Sequence, residues 1–205
     1  MNETAYPIIT ISREFGSGGH SIGLKVSEIL GIPFYDKNIV EKAAEESGFS
    51  QDFITEKGEY IDRWAGFALN RFNAPYATPQ DTIYLVQRQI ILDAAKSPCV
   101  IVGRCADCIL SKAGVKLLKV FIHADDQCRA ERVERRYGKT EIAISKRLHD
   151  KDKQRKAYYR YYTETEWGDC RNYHLNLDSG VLGEEQCVSI IVNAARSYHV
   201  QQIGK

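Results

Sequence analysis

Apolar positions along the chain fall into short unbroken runs separated by stretches with helical spacing. Pro7-Ile8-Ile9-Thr10-Ile11 is a β-branched run that ends at Ser12, and Gly16-Ser17-Gly18-Gly19 follows almost at once. This reads as a strand leading into a glycine-rich loop. From Ser21 the apolar residues Ile22, Val26, Ile29 and Leu30 recur at helical spacing until Gly31 and Pro33 stop them. Phe34-Tyr35 predicts a short second strand, and a second helix begins at Asp36 and runs through Ile39, Val40 and Ala43 to Gly48. Residues 50 to 80 carry Trp64, Phe67, Phe72, Pro75, Tyr76 and Pro79 without a clean period, so an irregular or helical excursion over the sheet is expected there.

Further on, Ile83, Val86, Ile90 and Ile91 mark a helix from about Thr82 to Lys96, and Ser97-Pro98 separates it from Cys99-Val100-Ile101-Val102. That last run has the composition of a central strand. Leu117 to Ile122, interrupted only by Lys119, and Tyr173-His174-Leu175-Asn176-Leu177 complete a set of five strands. Strands that alternate with helices predict an α/β fold with a mostly parallel five-stranded sheet, whose carboxyl ends are where a site belongs. No internal repeat or linker divides the 205 residues.

Composition narrows the classes of function. With 43% hydrophobic and 27% charged residues, the chain can bury a core and is not a disordered or fibrous sequence. Its 28 Lys and Arg nearly cancel 27 Asp and Glu, so no global positive field is present to hold nucleic acid or an anionic membrane. The first thirty residues lack the pattern of a secretion signal, and no stretch of about 18 uninterrupted apolar residues occurs, which predicts a soluble cytoplasmic protein. In that setting Cys99, Cys105, Cys108, Cys128, Cys170 and Cys187 are expected as reduced thiols. The five histidines show no metal-ligand spacing.

The glycine-rich loop carries the first candidate chemistry. Glycines let backbone N–H groups turn towards one point, and the helix that follows aims the positive end of its dipole at the same place. Against the phosphate-binding pattern G-x-x-x-x-G-K-[ST], the last three positions read Gly19-His20-Ser21, while Glu14 stands at the first glycine and His20 at the lysine. A histidine is only partly charged near neutral pH, so Arg13 or an arginine from a lid is expected to replace the missing charge. The alternative is a strand-to-helix turn that binds nothing.

Arg104 follows the Cys99–Val102 run and is predicted to face the same rim, where a guanidinium fork suits a second phosphate. An ion pair with Asp107 is the plainer reading. Between Arg129 and Arg160 there are twelve Lys or Arg against five acids, a local excess of seven. Arg129, Arg132 and Arg136 share one helical face, and Lys151 to Arg155 follow on a second helix, so two basic helices could clamp a polyphosphate. Most such charge runs are simply solvated surface. Tyr158-Tyr159-Arg160-Tyr161-Tyr162 could stack bases, but packing at a lid or homodimer interface explains it without a nucleic-acid partner. Cys105 and Cys108, at the start of a helix after a strand, are the spacing of a thioredoxin-like redox pair. Zinc would need two further ligands from distant positions.

Taken in order, Ile11 to Gly19, Ile32-Pro33-Phe34-Tyr35-Asp36, Val102 to Asp107, Arg129-Ala130-Glu131-Arg132, and Asp152 with Arg155 resemble the cytidylate kinase-like family of P-loop nucleoside monophosphate kinases over nearly the whole chain. The resemblance implies a P-loop NTPase-type three-layer fold in a single kinase-like domain over 1–205, with a helical acceptor-binding insert at about 37–98 and a helical lid at about 129–165. It further implies transfer of the ATP γ-phosphoryl to a (d)CMP-type acceptor with Mg²⁺. Gly16, Ser17, Gly18, Gly19, His20 and Ser21 would hold the donor phosphates, with the Ser21 hydroxyl near the metal. Arg104 would grip the acceptor phosphate, and Asp36 and Asp107 would orient the acceptor. Arg129, Arg132, Asp152 and Arg155 would form the catalytic lid. The alternatives are a nucleotide-binding protein with weak or no turnover and a kinase for a non-nucleotide small acceptor.

Overall fold

The computed structural model describes residues 6–48, 50, 78–138 and 140–203. Five strands form one parallel sheet: β1 (Ile8–Arg13), β2 (Phe34–Tyr35), β3 (Val100–Val102), β4 (Leu117–His123) and β5 (Leu175–Asp178), in the order β2-β3-β1-β4-β5. Seven helices occur among the described residues: α1 (Gly19–Leu30), α2 (Lys37–Ser47), α3 (Pro79–Ala94), α4 (Ala106–Lys112), α5 (Asp126–Tyr137), α6 (Ile144–Thr163) and α7 (Gly183–Ile203). All five predicted strands are present. The aromatic-rich segment expected to cover the sheet lies, from 51 to 77, outside the described residues.

Boundaries differ from the sequence pattern where local chemistry outweighs periodicity. β1 continues to Arg13 because that residue still pairs with Ile122 of β4. α3 begins at Pro79, since Thr78 and Asp81 form a reciprocal capping box and proline is preorganised for the first helical position. β5 begins at Leu175, after a 3₁₀ turn over Cys170–Asn172, and Tyr173 turns into the core.

The sheet separates two apolar layers, giving three layers in all. On one face Ile9, Ile11, Val100, Val102, Val120 and Ile122 pack against Ile22 and Val26 of α1 and Ile191 of α7. On the other, Ile101 and Phe121 meet Ile39 of α2, Ile83, Ile90 and Ile91 of α3, Leu110 of α4 and Tyr158 and Tyr159 of α6. Burial on both faces is why β1, β3 and β4 read as continuous apolar runs rather than as alternation. Each such isoleucine or valine contributes about 1.5–3 kcal/mol.

This topology also places the site. From β1 the chain crosses to β2 and β3 on one side, while β4 lies on the other, so the carboxyl end of β1 is where the winding reverses and a crevice must open. Gly23 lets α1 lie close over that end: a Cβ there would stand 3.1 Å from both Ile11 Cδ1 and Phe34 Cε2.

Candidate functional site

Between β1 and α1 the chain turns through Gly16 and Gly18, both at φ +83°. A Cβ at Gly16 would lie 2.8 Å from the Arg129 carbonyl oxygen, and one at Gly19 would lie 2.6 Å from Arg13 Cβ, so glycine is required for close approach as well as for conformation. Gly18 caps α1 without any side-chain hydrogen bond, which leaves the first turn's N–H groups to the cleft. The loop is braced from behind. Ser17 Oγ donates to the Glu14 carbonyl at 2.9 Å, and Ser179 Oγ donates to the Ser17 carbonyl at 2.6 Å.

Glu14, at the position of the missing first glycine, faces the protein. Its carboxylate accepts from the Ala124 N–H at 3.3 Å and pairs with Arg129 at 3.2 Å. Arg129 is only 4% exposed and also pairs with Asp152 at 2.5 Å and Asp126 at 3.2 Å. Burial lowers its proton affinity, but these carboxylates more than reverse the effect. The other oxygen of Asp152 accepts from the Phe15 N–H at 2.8 Å. Arg129 and Asp152 thus form a buried pair behind the loop that joins β1, α5 and α6.

Three further arginines of α5 and α6 reach the cleft. Arg132 donates to the Gly16 carbonyl at 2.8 Å and pairs with Glu184 at 3.2 Å. Arg136 donates to Ser21 Oγ at 3.4 Å, and Arg155 donates to the Arg13 carbonyl at 3.0 Å. Together with Arg13, these three guanidiniums line an open cleft of about 220 Å³ whose floor is Gly16, Gly18 and Gly19. Phe15 and Tyr137 stand at its mouth with ring centroids 6.2 Å apart.

His20 and Asp36 line the same cleft, with His20 Nδ1 2.5 Å from Asp36 Oδ2. Burial tends to raise the Asp36 carboxyl, but the hydrogen bond to His20 and the charges of Arg13 and Arg104 outweigh it and hold Asp36 below its ordinary value. Arg104 occupies an adjoining recess of about 20 Å³, which shares Arg13 and Arg155 with the larger cleft. The turn carrying it is strained: Gly103, Arg104 and Cys105 follow one another at φ +75°, +57° and +56°. Two consecutive non-glycine residues in the left-handed region hold backbone strain that the surrounding packing must maintain.

Asp107 lies elsewhere, 3% exposed beneath α6, where it accepts from the Tyr159 hydroxyl at 2.9 Å. Burial raises its carboxyl above the ordinary value, and the Tyr159 hydrogen bond opposes this only in part. Tyr158 and Tyr159 of α6 are buried, Tyr162 stacks on Tyr84 of α3 at 3.9 Å with Tyr158 edge-on to the same ring, and Tyr161 stays exposed. Of the redox pair, Cys105 is buried and burial raises the Cys108 thiol, the reverse of the shift that activates a redox cysteine.

The structure therefore brings together Gly16, Gly18, Gly19, His20, Asp36, Arg132 and Arg155 at one cleft, places Arg104 beside it, sets Ser17, Arg129 and Asp152 behind it, and buries Asp107 apart from it beneath α6. Arg136 extends the Arg129–Arg132 face by one turn and was legible from that spacing. Ser179, Glu184 and the Phe15–Tyr137 pair carry no local signal, because their partners lie far away in sequence.

A glycine loop opening a helix at the reversal point of a parallel sheet, under arginines from α5 and α6, defines a kinase fold of the P-loop class. The chain belongs to the cytidylate kinase-like family, whose model matches residues 8–181. An uncharacterized protein from Eubacterium ventriosum ATCC 27560 is similar at 29% identity and TM-score 0.70, over 93% of this chain and 99% of that one. The fold is also shared with shikimate kinase from Acinetobacter baumannii in complex with shikimate (14% identity, TM-score 0.55, 94% of each chain). A gluconokinase from Sinorhizobium meliloti 1021 shares it as well (17% identity, TM-score 0.54, 95% of this chain and 97% of that one). No curated protein matches the chain. No helix among the described residues is long and apolar enough to cross a membrane.

Proposed function

We propose that the protein is an ATP-dependent phosphotransferase that moves the γ-phosphoryl of ATP to a nucleoside monophosphate of the (d)CMP type. The observation that carries this reading is the convergence of Arg13, Arg132, Arg136 and Arg155 on the glycine loop. Phosphoryl transfer asks little covalent chemistry of a protein; its catalysis is positioning plus positive charge around the transferring group. The open N–H groups of α1 and the glycine floor suit the donor phosphates. Arg132 and Arg155 are assigned to the transferring group, and Arg129 and Asp152 to holding the lid against the loop.

The donor set also suits Mg²⁺, which takes one or two protein oxygens and completes its shell with phosphates and water. Ser21 Oγ, one turn into α1, is the oxygen assigned to it; Arg136 lies 3.4 Å away. When bound, the metal would supply neutralising charge at the donor phosphates. Arg104, in the recess that shares Arg13 and Arg155 with the cleft, is assigned to the acceptor phosphate. Asp36 lines the cleft where an acceptor would enter, whereas Asp107 is buried beneath α6 and does not line it.

The test is an ADP-release assay with ATP, Mg²⁺ and CMP, dCMP, UMP, AMP or GMP, beside calorimetry of ATP and CMP binding. Turnover with CMP or dCMP is the expected result. ATP binding without transfer to any of them would replace it with a non-nucleotide acceptor or a nucleotide-binding role, and absence of ATP binding would overturn the phosphotransferase reading.

A further inference from the structure

We infer that Glu184 is a positioning residue for Arg132: its carboxylate anchors one side of the guanidinium so that the opposite side is presented to the phosphoryl group in transit. The inference rests on the phosphotransferase reading, in which Arg132 serves that group. Arg132 Nη1 donates to the Gly16 carbonyl at 2.8 Å, and its Nε lies 3.2 Å from Glu184 Oε1. Two corners of the guanidinium are therefore tied to the protein. Nη2 has no partner among the described residues, while the side chain as a whole lines the cleft. A planar fork fixed at two corners holds its third in a set direction. Arg129, one turn earlier on α5, shows the contrast: it is buried among Glu14, Asp126 and Asp152 and does not line the cleft.

Glu184 stands on a fixed base. It is the second residue of α7, and the turn before it is pinned to the glycine loop. Ser179, 1% exposed, donates to the Ser17 carbonyl at 2.6 Å. Within the turn, Asp178 Oδ1 accepts from the Gly180 and Val181 N–H groups at 2.9 and 3.2 Å. The Glu184 carboxylate stands so near the loop that a Cβ at Gly18 would lie 2.8 Å from its Oε1. A negative charge beside a phosphate cradle repels the phosphates the cradle is built to hold. Its place there is explained by Arg132: the repulsion weakens the bound ground state, while an arginine held in register lowers the barrier to transfer. Glu185, the next residue, pairs instead with Lys25 of α1 at 2.5 Å and is largely exposed, so it carries the same charge without touching Arg132.

The experiment measures kcat for ADP release with ATP, Mg²⁺ and CMP, dCMP, UMP, AMP or GMP, beside calorimetric binding of ATP, for the wild type and for variants at Glu184, Glu185 and Arg132. Glu184→Ala is expected to lower kcat about tenfold or more, yet to bind ATP as tightly as the wild type or up to about tenfold more tightly. A pair this exposed adds little stability, so the melting temperature should move by less than about 4 °C. Glu184→Gln still offers an oxygen to Nε and should keep kcat within about threefold. Glu185→Ala removes an equal charge one residue away and should leave kcat unchanged. Adding Glu184→Ala to Arg132→Ala should change kcat less than about twofold, because the residue through which Glu184 acts is already gone. Unchanged kcat in Glu184→Ala, an equal loss in Glu185→Ala, or additive losses in the double variant would each overturn the inference. ATP affinity that weakens in step with kcat would also overturn it, leaving the pair a structural contact only. A wild-type protein that binds ATP but transfers to none of the monophosphates would overturn the proposed transfer itself, and the inference with it.

Discussion

The backbone N–H of Phe15 donates to Asp152 Oδ1 at 2.8 Å, joining the glycine loop to α6 across 137 positions of sequence. The opposite oxygen of the same carboxylate holds the buried Arg129. One side chain thus satisfies a loop donor and a buried cation together, so the shape of the loop and the seating of α6 are coupled.

Asp152→Ala should therefore destabilise the fold by about 3 kcal/mol, because it leaves a buried guanidinium short of its nearest partner. Urea denaturation measures this. A loss under about 1 kcal/mol would mean that Glu14 and Asp126 suffice to hold Arg129.

Gly19→Ala tests the cradle itself. The new methyl would meet Arg13 Cβ at 2.6 Å and force the end of β1 away from the loop. ATP affinity is expected to fall at least about tenfold, about 1.4 kcal/mol, with the circular dichroism spectrum of the wild type retained. Unchanged affinity would remove the loop backbone from the donor site.

Arg104 separates function from stability. Its φ of +57° costs a non-glycine residue about 1–2 kcal/mol. Arg104→Gly should accordingly be about 1 kcal/mol more stable than Arg104→Ala, while both raise the acceptor KM and lower kcat/KM. Equal stability of the two would show that the turn is not strained, and unchanged kinetics would sink the acceptor role.

Asp107 should make stability depend on pH. Its folded-state carboxyl is raised above the ordinary 3.8 mainly by burial, so the native state holds a proton that the unfolded chain has already released. Stability is then lost as pH rises above that value. Asp107→Asn removes this loss, and should be the more stable protein near neutrality, with the difference closing towards about pH 4. Melting temperatures of both proteins across that range decide it; parallel curves would mean that Asp107 stays ionised in the fold.

Much of the architecture is written in local pattern. Ile8 to Ile11, Val100 to Val102 and Leu117 to Ile122 are unbroken apolar runs because both faces of those strands are covered, and no other short segment meets that demand so well. Gly16, Gly18 and Gly19 followed by the Ile22–Val26 period mark loop and helix together, since only glycine tolerates that turn and close approach. Depth and partnership are another matter. Arg129 and Arg132 share a helical face by spacing, yet one lies buried against Asp152 and the other opens on the cleft, because α6 packs over only part of α5. Helical period gives a residue its direction; the element crossing above it decides whether it meets a carboxylate or water. In the same way His20 and Asp36, separated by the whole of α1, meet only because β2 returns beside β3 and brings its carboxyl end to the loop. Sequence alone thus determined the parallel sheet, the glycine-rich loop that opens α1 and the basic run of α5 and α6, while tertiary structure decided which charges face the cleft and which pair behind the loop, since burial and pairing at long sequence separation depend on how elements cross.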